Sequence, residues 1–161
     1  MQINILKTLA LCVAACSAIA ADQGPASPTA GDVALEMISA RPRAYANVCI
    51  AKDPTTKKAF DSAVADLKAR VETIGRPLLA SAQFSSLNQT PAPQELIEAA
   101  RDQNSDLERQ IAGTDAARDC PVFLANIARI DGATLRGGIE QVLAGIQQTL
   151  IAMKEEAARR P

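Results

Sequence analysis

Between Asp131 and Arg159 the apolar residues Leu135, Ile139, Val142, Ile146, Leu150, Met153 and Ala157 recur at steps of three and four. That spacing brings them onto one side of an α-helix. Uninterrupted, the helix spans roughly 40 Å at about 1.5 Å per residue, long enough to be the spine of a small bundle, and the rest of the chain is expected to be organised around it. No window shows sustained apolar–polar alternation with β-branched residues, so a substantial sheet is not expected. The core must also be aliphatic, because Tyr45, Phe60, Phe84 and Phe123 are the aromatic residues and Trp is absent. Leu, Ile, Val and many Ala suit close helix packing better than a β-sandwich interior.

Further stripes follow the same logic. Asp32 can cap a short helix through Ala40, which supplies Val33, Leu35, Met37 and Ile38 before Arg41-Pro42 interrupts it; a second piece, Pro42 to Ala51, carries Tyr45, Val48 and Cys49. Asp53-Pro54-Thr55 is a helix start, and Phe60, Val64, Leu67, Val71 and Ile74 form the clearest inward stripe after it. Gly75 is expected to end or kink that helix, with Pro77 opening a new turn. Leu78 to Leu87 suggests a buried helix and Asn88 to Pro93 a loop. Another helix is expected from about Pro93 to Ala112, with Leu96, Ile97, Ala100, Leu107 and Ile111 inward. Asn104 falls on its inward stripe, either as a water-bonded edge residue or as a buried polar contact that fixes register. Pro121 opens a short helix bearing Phe123, Leu124, Ile127 and Ile130.

The expected fold is therefore all-α, a single-domain bundle of four to five helices spanning 32–161. Its terminal helix packs against Phe60 to Ile74 and Leu96 to Ile111. Gly137, Gly138 and Gly145 in that terminal helix each cost about 1 kcal/mol against Ala. They mark either a close approach by a neighbouring helix or a kink near the helix start.

The N-terminus bears on compartment. In Met1 to Ala20, Lys7 precedes an apolar run that ends in Ala18-Ile19-Ala20, which resembles a bacterial secretory signal peptide with an A-x-A cleavage site. Val13-Ala14-Ala15-Cys16 competes as a lipobox, in which Cys16 would be lipidated and become the mature N-terminus. The run is too short for a retained membrane span. Either reading takes the protein out of the cytoplasm, to the periplasm or medium, or to the envelope through a lipid at Cys16. Residues 21–31 read as a flexible linker rich in Pro, Gly, Ala and Ser. Cys12 is removed with the leader under either reading and Cys16 is either removed or lipidated, which leaves Cys49 and Cys120 as a pair in an oxidising compartment. Their disulfide would staple the early segment to the last helical pair and stabilise the fold by about 4 kcal/mol in the chain-entropy model.

The chemistry is bounded by an absence: the 161 residues include no histidine. Ser-His and Cys-His nucleophiles, His-ligated zinc and Cys-x-x-Cys-His haem attachment are all excluded. There is no Gly-x-Ser-x-Gly, no P-loop and no Ser-x-x-Lys. Glu95, Glu98, Asp102 and Asp106 lie along one helix, but Arg101 and Arg109 are interleaved among them, which suits a solvated ion-paired face rather than a glycan-cutting pair. No Asp-x-Asp-x-Asp-Gly loop points to Ca²⁺. A net charge of -1 gives no pull toward nucleic acid.

The expectation is thus a non-enzymatic protein without metal or cofactor that binds another protein, of the inhibitor, immunity or adaptor type. Its contact surface is expected in the uncharged stretch Pro77 to Gln94, where Phe84, Ser85, Ser86, Leu87, Asn88 and Gln89 combine apolar and neutral hydrogen-bonding groups. The alternative is a bundle that holds an apolar small molecule or lipid between its helices.

Overall fold

A computed structural model describes residues 27–159. The expected leader, Cys12 and Cys16 lie outside the described residues, as does most of the expected linker. Six α-helices and one 3-10 turn make up the described chain: α1 Ala30–Lys52, the turn Pro54–Thr56, α2 Lys57–Ala80, α3 Ser85–Gln89, α4 Gln94–Ile111, α5 Ala116–Arg129 and α6 Gly132–Arg159. The all-α expectation holds. The helix beyond the expected four to five is α3, a segment of 5 residues. No described helix is long and apolar enough to cross a membrane.

The first turn of α1 is built by a capping box. Thr29 Oγ1 accepts from the Asp32 N–H at 3.1 Å, and Asp32 Oδ2 accepts from the Thr29 N–H at 2.9 Å. Two free donors at the helix start are thereby satisfied reciprocally. The helix consequently begins at Ala30, within the stretch expected to be linker. Backbone bonds from Ala30 N to Thr90 O (2.8 Å) and from Ala92 N to Pro28 O (2.9 Å) pin this start to the segment between α3 and α4.

Three prolines do not act as breaks. Pro42, Pro77 and Pro121 lie inside α1, α2 and α5, so the two short pieces expected on either side of Arg41-Pro42 are one helix. A proline removes one backbone bond and crowds the preceding turn, at about 3 kcal/mol. In α1 and α2, well-packed residues on both sides offset that loss: Leu35 and Cys49 flank Pro42, and Val71 and Leu79 flank Pro77.

The organising helix is α1, not α6. α1 packs against α2, α3, α4, α5 and α6, whereas α6 packs against α1 and α2 and makes no substantial contact with α4. Composition explains the exchange. α1 buries Ala30, Gly31, Ala34, Ser39, Ala40, Ala44 and Ala46 along with Val33, Leu35 and Cys49. Small side chains distributed around a helix let neighbours close on several sides at once. α6 instead buries one stripe, Leu135, Ile139, Leu143, Ile146 and Leu150. A one-sided stripe can cover the bundle only from outside.

α1 and α2 pack closely through glycine. A Cβ on Gly31 would stand 2.7 Å from Leu79 Cδ2, and a Cβ on Gly75 would meet Leu35 Cδ2 at still shorter range. Each helix thus offers a glycine to the other's leucine, and both leucines are buried with nowhere to swing. Gly75 is therefore a packing residue within α2. Gly137, Gly138 and Gly145 have nothing within 4 Å of a Cβ and lie on the exposed side of an unbroken α6. No helix of this chain approaches them.

The expected disulfide is present between Cys49 of α1 and Cys120 of α5, with a Cα–Cα distance of 5.7 Å.

The glycines allow a test of opposite signs. Gly75→Ala should lower stability by about 1–3 kcal/mol through overpacking, although Ala is the better helix former. Gly145→Ala should raise it by about 1 kcal/mol, because only propensity changes there. Urea unfolding of the two variants would measure both, and stabilisation by each would show that the α1–α2 contact has room to spare.

Candidate binding grooves

The stretch expected to form a contact loop is folded into the core. Phe84 and Leu87 are each 1 % exposed. They stand three residues apart at the start of α3, on the same side of a single turn, and wedge between α1 and α2. Ser85 is half-buried, and Ser86, Asn88 and Gln89 are exposed. The lack of charge from Pro77 to Gln94 thus reflects in part the plugging of the bundle by Phe84 and Leu87. An Asp substitution at Phe84 or Leu87 would unfold the protein rather than report on a partner. Those two apolar anchors are corrected from contact residues to core residues.

Nor do the carboxylates of α4 converge. Glu95, Glu98, Asp102 and Asp106 are exposed; Gln94 donates to Glu98 at 2.9 Å, and Arg109 pairs with Asp106. Among the described residues no group of three or more His, Cys, Asp or Glu side chains is placed to hold a metal.

Two grooves flank α1. The first lies between α1 and α5. These helices run antiparallel: Cys49 is bonded to Cys120, and one turn along, the rings of Tyr45 and Phe123 meet at 4.0 Å with their planes tilted by 34°. Beyond this stack the helices enclose a cavity of about 400 Å³ lined by Ile38, Arg41, Pro42, Asn126, Ile127 and Ile130 together with the two rings. Arg41 donates to the Tyr45 hydroxyl oxygen from Nε at 3.3 Å and from Nη2 at 3.2 Å. Its guanidinium carbon stands 5.8 Å from the Tyr45 ring centre. The other end of α5 is held by Arg70 of α2, which donates to the carbonyl oxygens of Ile127 and Ile130.

The second groove lies between α2 and α4. Both helices pack on α1, but they make no substantial contact with each other. The cleft they leave, about 480 Å³, has Val33, Glu36 and Met37 of α1 as its floor. Lys68, Glu72 and Arg76 form one wall, and Ile97, Ala100, Arg101 and Asn104 the other. One end is closed by charge: Arg76 pairs with Asp32 at 2.7 Å and with Glu72 at 2.6 Å. Burial pushes the Asp32 carboxyl up, but the Thr29 N–H, Arg76 and the Thr29 hydroxyl together outweigh it and hold the group below the usual carboxylate range. Glu72 and Asp32 in turn hold Arg76 above its ordinary value.

Neither groove was legible as such in the sequence. In sequence Asn104 is only a polar residue on an inward stripe, and Arg41, Tyr45 and Phe123 are brought together by the crossing of two helices 71 residues apart at their disulfide. The available signal was the placement of two scarce aromatics, Tyr45 and Phe123, within one turn of the paired cysteines.

A carboxyl with a lowered pKa stabilises the fold above its unfolded value, and that contribution is lost as pH falls through the folded value. Asp32→Asn should therefore cost about 0.5–1 kcal/mol at pH 7, discounted for its solvent exposure. The difference from the parent should begin to shrink below about pH 4 and be lost as pH falls through the lower folded value. Chemical denaturation across that range would check it, and a difference undiminished at low pH would remove the charge from the explanation.

The chain matches no known family model, curated protein or solved structure.

Proposed function

We propose that this chain is a non-enzymatic, exported helical protein that binds another protein through the α1–α5 groove. One observation carries the reading: of four aromatic residues, Phe60 and Phe84 fill the core, whereas Tyr45 and Phe123 are stacked at half-buried positions beside an exposed arginine. In a chain so poor in aromatics, a core-building role alone would favour burying all four. Tyr and Arg around a partly dry apolar recess are the residue types that anchor protein interfaces. Rigidity supports the same view, since the disulfide fixes one end of the groove and Arg70 the other. A recess held open in advance loses less entropy on binding.

Export is supported by the leader at Met1 to Ala20 and by the Cys49–Cys120 bond, which persists in oxidising compartments. Inhibitor, immunity or adaptor roles all fit a partner-binding protein of this kind.

The test is a photo-crosslinking residue at Asn126, exposed on the groove's rim, in the protein exported by its own host. One stoichiometric adduct is expected, weakened about tenfold by Arg41→Glu. A crosslinker at Asp61, on the outer side of α2, should give none. Recovery of the protein alone from Asn126, or an adduct indifferent to Arg41→Glu, would overturn the reading. Reducing the disulfide should weaken capture in parallel, because Tyr45 and Phe123 lose the clamp one turn away.

A further inference from the structure

The groove between α2 and α4 contains polar groups that the protein itself does not use. Its three carboxylates are all paired: Asp32 and Glu72 with Arg76, and Glu36 with Arg43 at 2.5 Å. Lys68 and Arg101 line the same cleft and face no carboxylate within ion-pair distance among the described residues. The Asn104 carboxamide makes no hydrogen bond there either, although its Oδ1 is fully buried. A buried oxygen without a donor costs about 1–3 kcal/mol, a cost that a ligand donor meeting it as the half-buried carboxamide turns toward the cleft would remove.

Helix directions place these three groups together. α2 runs antiparallel to α1, with Arg76 beside Asp32 at the start of α1, so Lys68 stands two turns further along, toward the middle of α1. α4 runs parallel to α1, pinned by Thr90 and Ala92 at the start and by the Asn47 Nδ2 to Glu108 Oε1 bond (2.6 Å) near the end. Arg101 and Asn104 therefore also stand near the middle. The apolar part of the cleft is Val33, Met37, Ile97 and Ala100, and the ion-paired Arg76 closes its far end.

We infer that this cleft binds a single anionic amphiphile that carries a hydroxyl or N–H donor beside its acid group. Lys68 and Arg101 meet the anion, Asn104 Oδ1 accepts from the donor, and the hydrocarbon lies on Val33, Met37, Ile97 and Ala100. Charge excludes a cationic amphiphile, since every carboxylate of the cleft is already paired. Depth favours a monomer over a membrane surface, because the accepting oxygen is buried between helices. The cavity volume falls within the range of about 300–1,000 Å³ usual for small-molecule sites. The inference uses none of the residues of the α1–α5 groove and stands or falls separately from the partner-binding reading.

Isothermal titration of the disulfide-bonded protein with 3-hydroxydecanoate, decanoate and decyltrimethylammonium, each below its micelle concentration, tests it. Expected are one site per chain, binding of 3-hydroxydecanoate about fivefold tighter than decanoate, and no binding of the cation. The Lys68→Glu, Arg101→Glu double variant should weaken both acids about tenfold or more. Both side chains are exposed and unpaired, so its circular dichroism should match the parent. Asn104→Leu should remove the preference for the hydroxy acid while leaving decanoate bound. No heat with either acid, equal binding by the double variant, or binding of phosphatidylglycerol vesicles without binding of the monomer would each overturn the inference.

Discussion

The fold depends on the close approach of α1 and α2, in which Gly31 receives Leu79 and Gly75 receives Leu35. Dispersion and burial both rise steeply as helices close, and a missing Cβ is what permits the last ångström. Once α1 is held this near to α2, its remaining alanines present small surfaces to α4, α5 and α6, and each can settle without large side chains to thread past. Bulkier residues at Ala34 or Ala44 would push at least one neighbour away. The interior is therefore built around smallness at its centre, with Phe60, Leu67, Leu79, Phe84, Ile139 and Leu143 supplying volume from the surrounding helices.

This arrangement explains which parts of the fold were legible in the sequence. Periodicity located α4 and α6 to within a few residues, and α2 as far as Gly75 although it runs on to Ala80, because each must separate an apolar from a polar side. The same test could not find the centre. A helix buried on several sides by Ala and Gly has no pronounced stripe, so periodicity divides α1 at Pro42 and favours α6, the longest helix, as the spine. The one-sided buried stripe of α6 is itself a mark of peripheral position. The glycines misled for a related reason: Gly137, Gly138 and Gly145 share an exposed side, whereas Gly75, beside a proline, resembled a terminator. Only the register of α1 against α2 distinguishes a packing glycine from a tolerated one, and register is a tertiary property.

The grooves follow from the same geometry. Helices packed on a common central helix do not all touch each other, and α2 and α4 are such a pair. What remains between them is floored by α1, whose small and medium side chains do not fill the space. On the other side, α5 is covalently tied at Cys49–Cys120 and shows Tyr45 and Phe123 to solvent one turn later. The sequence identified the disulfide by counting cysteines and considering compartment. It did not identify the grooves, since each needs residues from helices distant in sequence. The charge-free stretch around Phe84 resembles a surface in sequence, because absence of charge is shared by contact loops and core plugs.

The electrostatics bear on what either groove can do. The carboxyls with resolved shifts, Asp32, Asp53, Asp119 and Asp131, are all held below the usual range, and hydrogen bonds within the fold account for each. For Asp53 the donors are the hydroxyl and N–H of Thr55, for Asp119 the Arg118 guanidinium, and for Asp131 the N–H and hydroxyl of Thr134. Such groups cap helices and tie turns; none retains a proton near neutral pH to donate to a substrate. The chain also contains no histidine, the side chain whose unperturbed pKa lies nearest neutrality. Shape, unpaired positive charge and an unused amide are what the two grooves of the described surface offer, and they suit the recognition proposed for them.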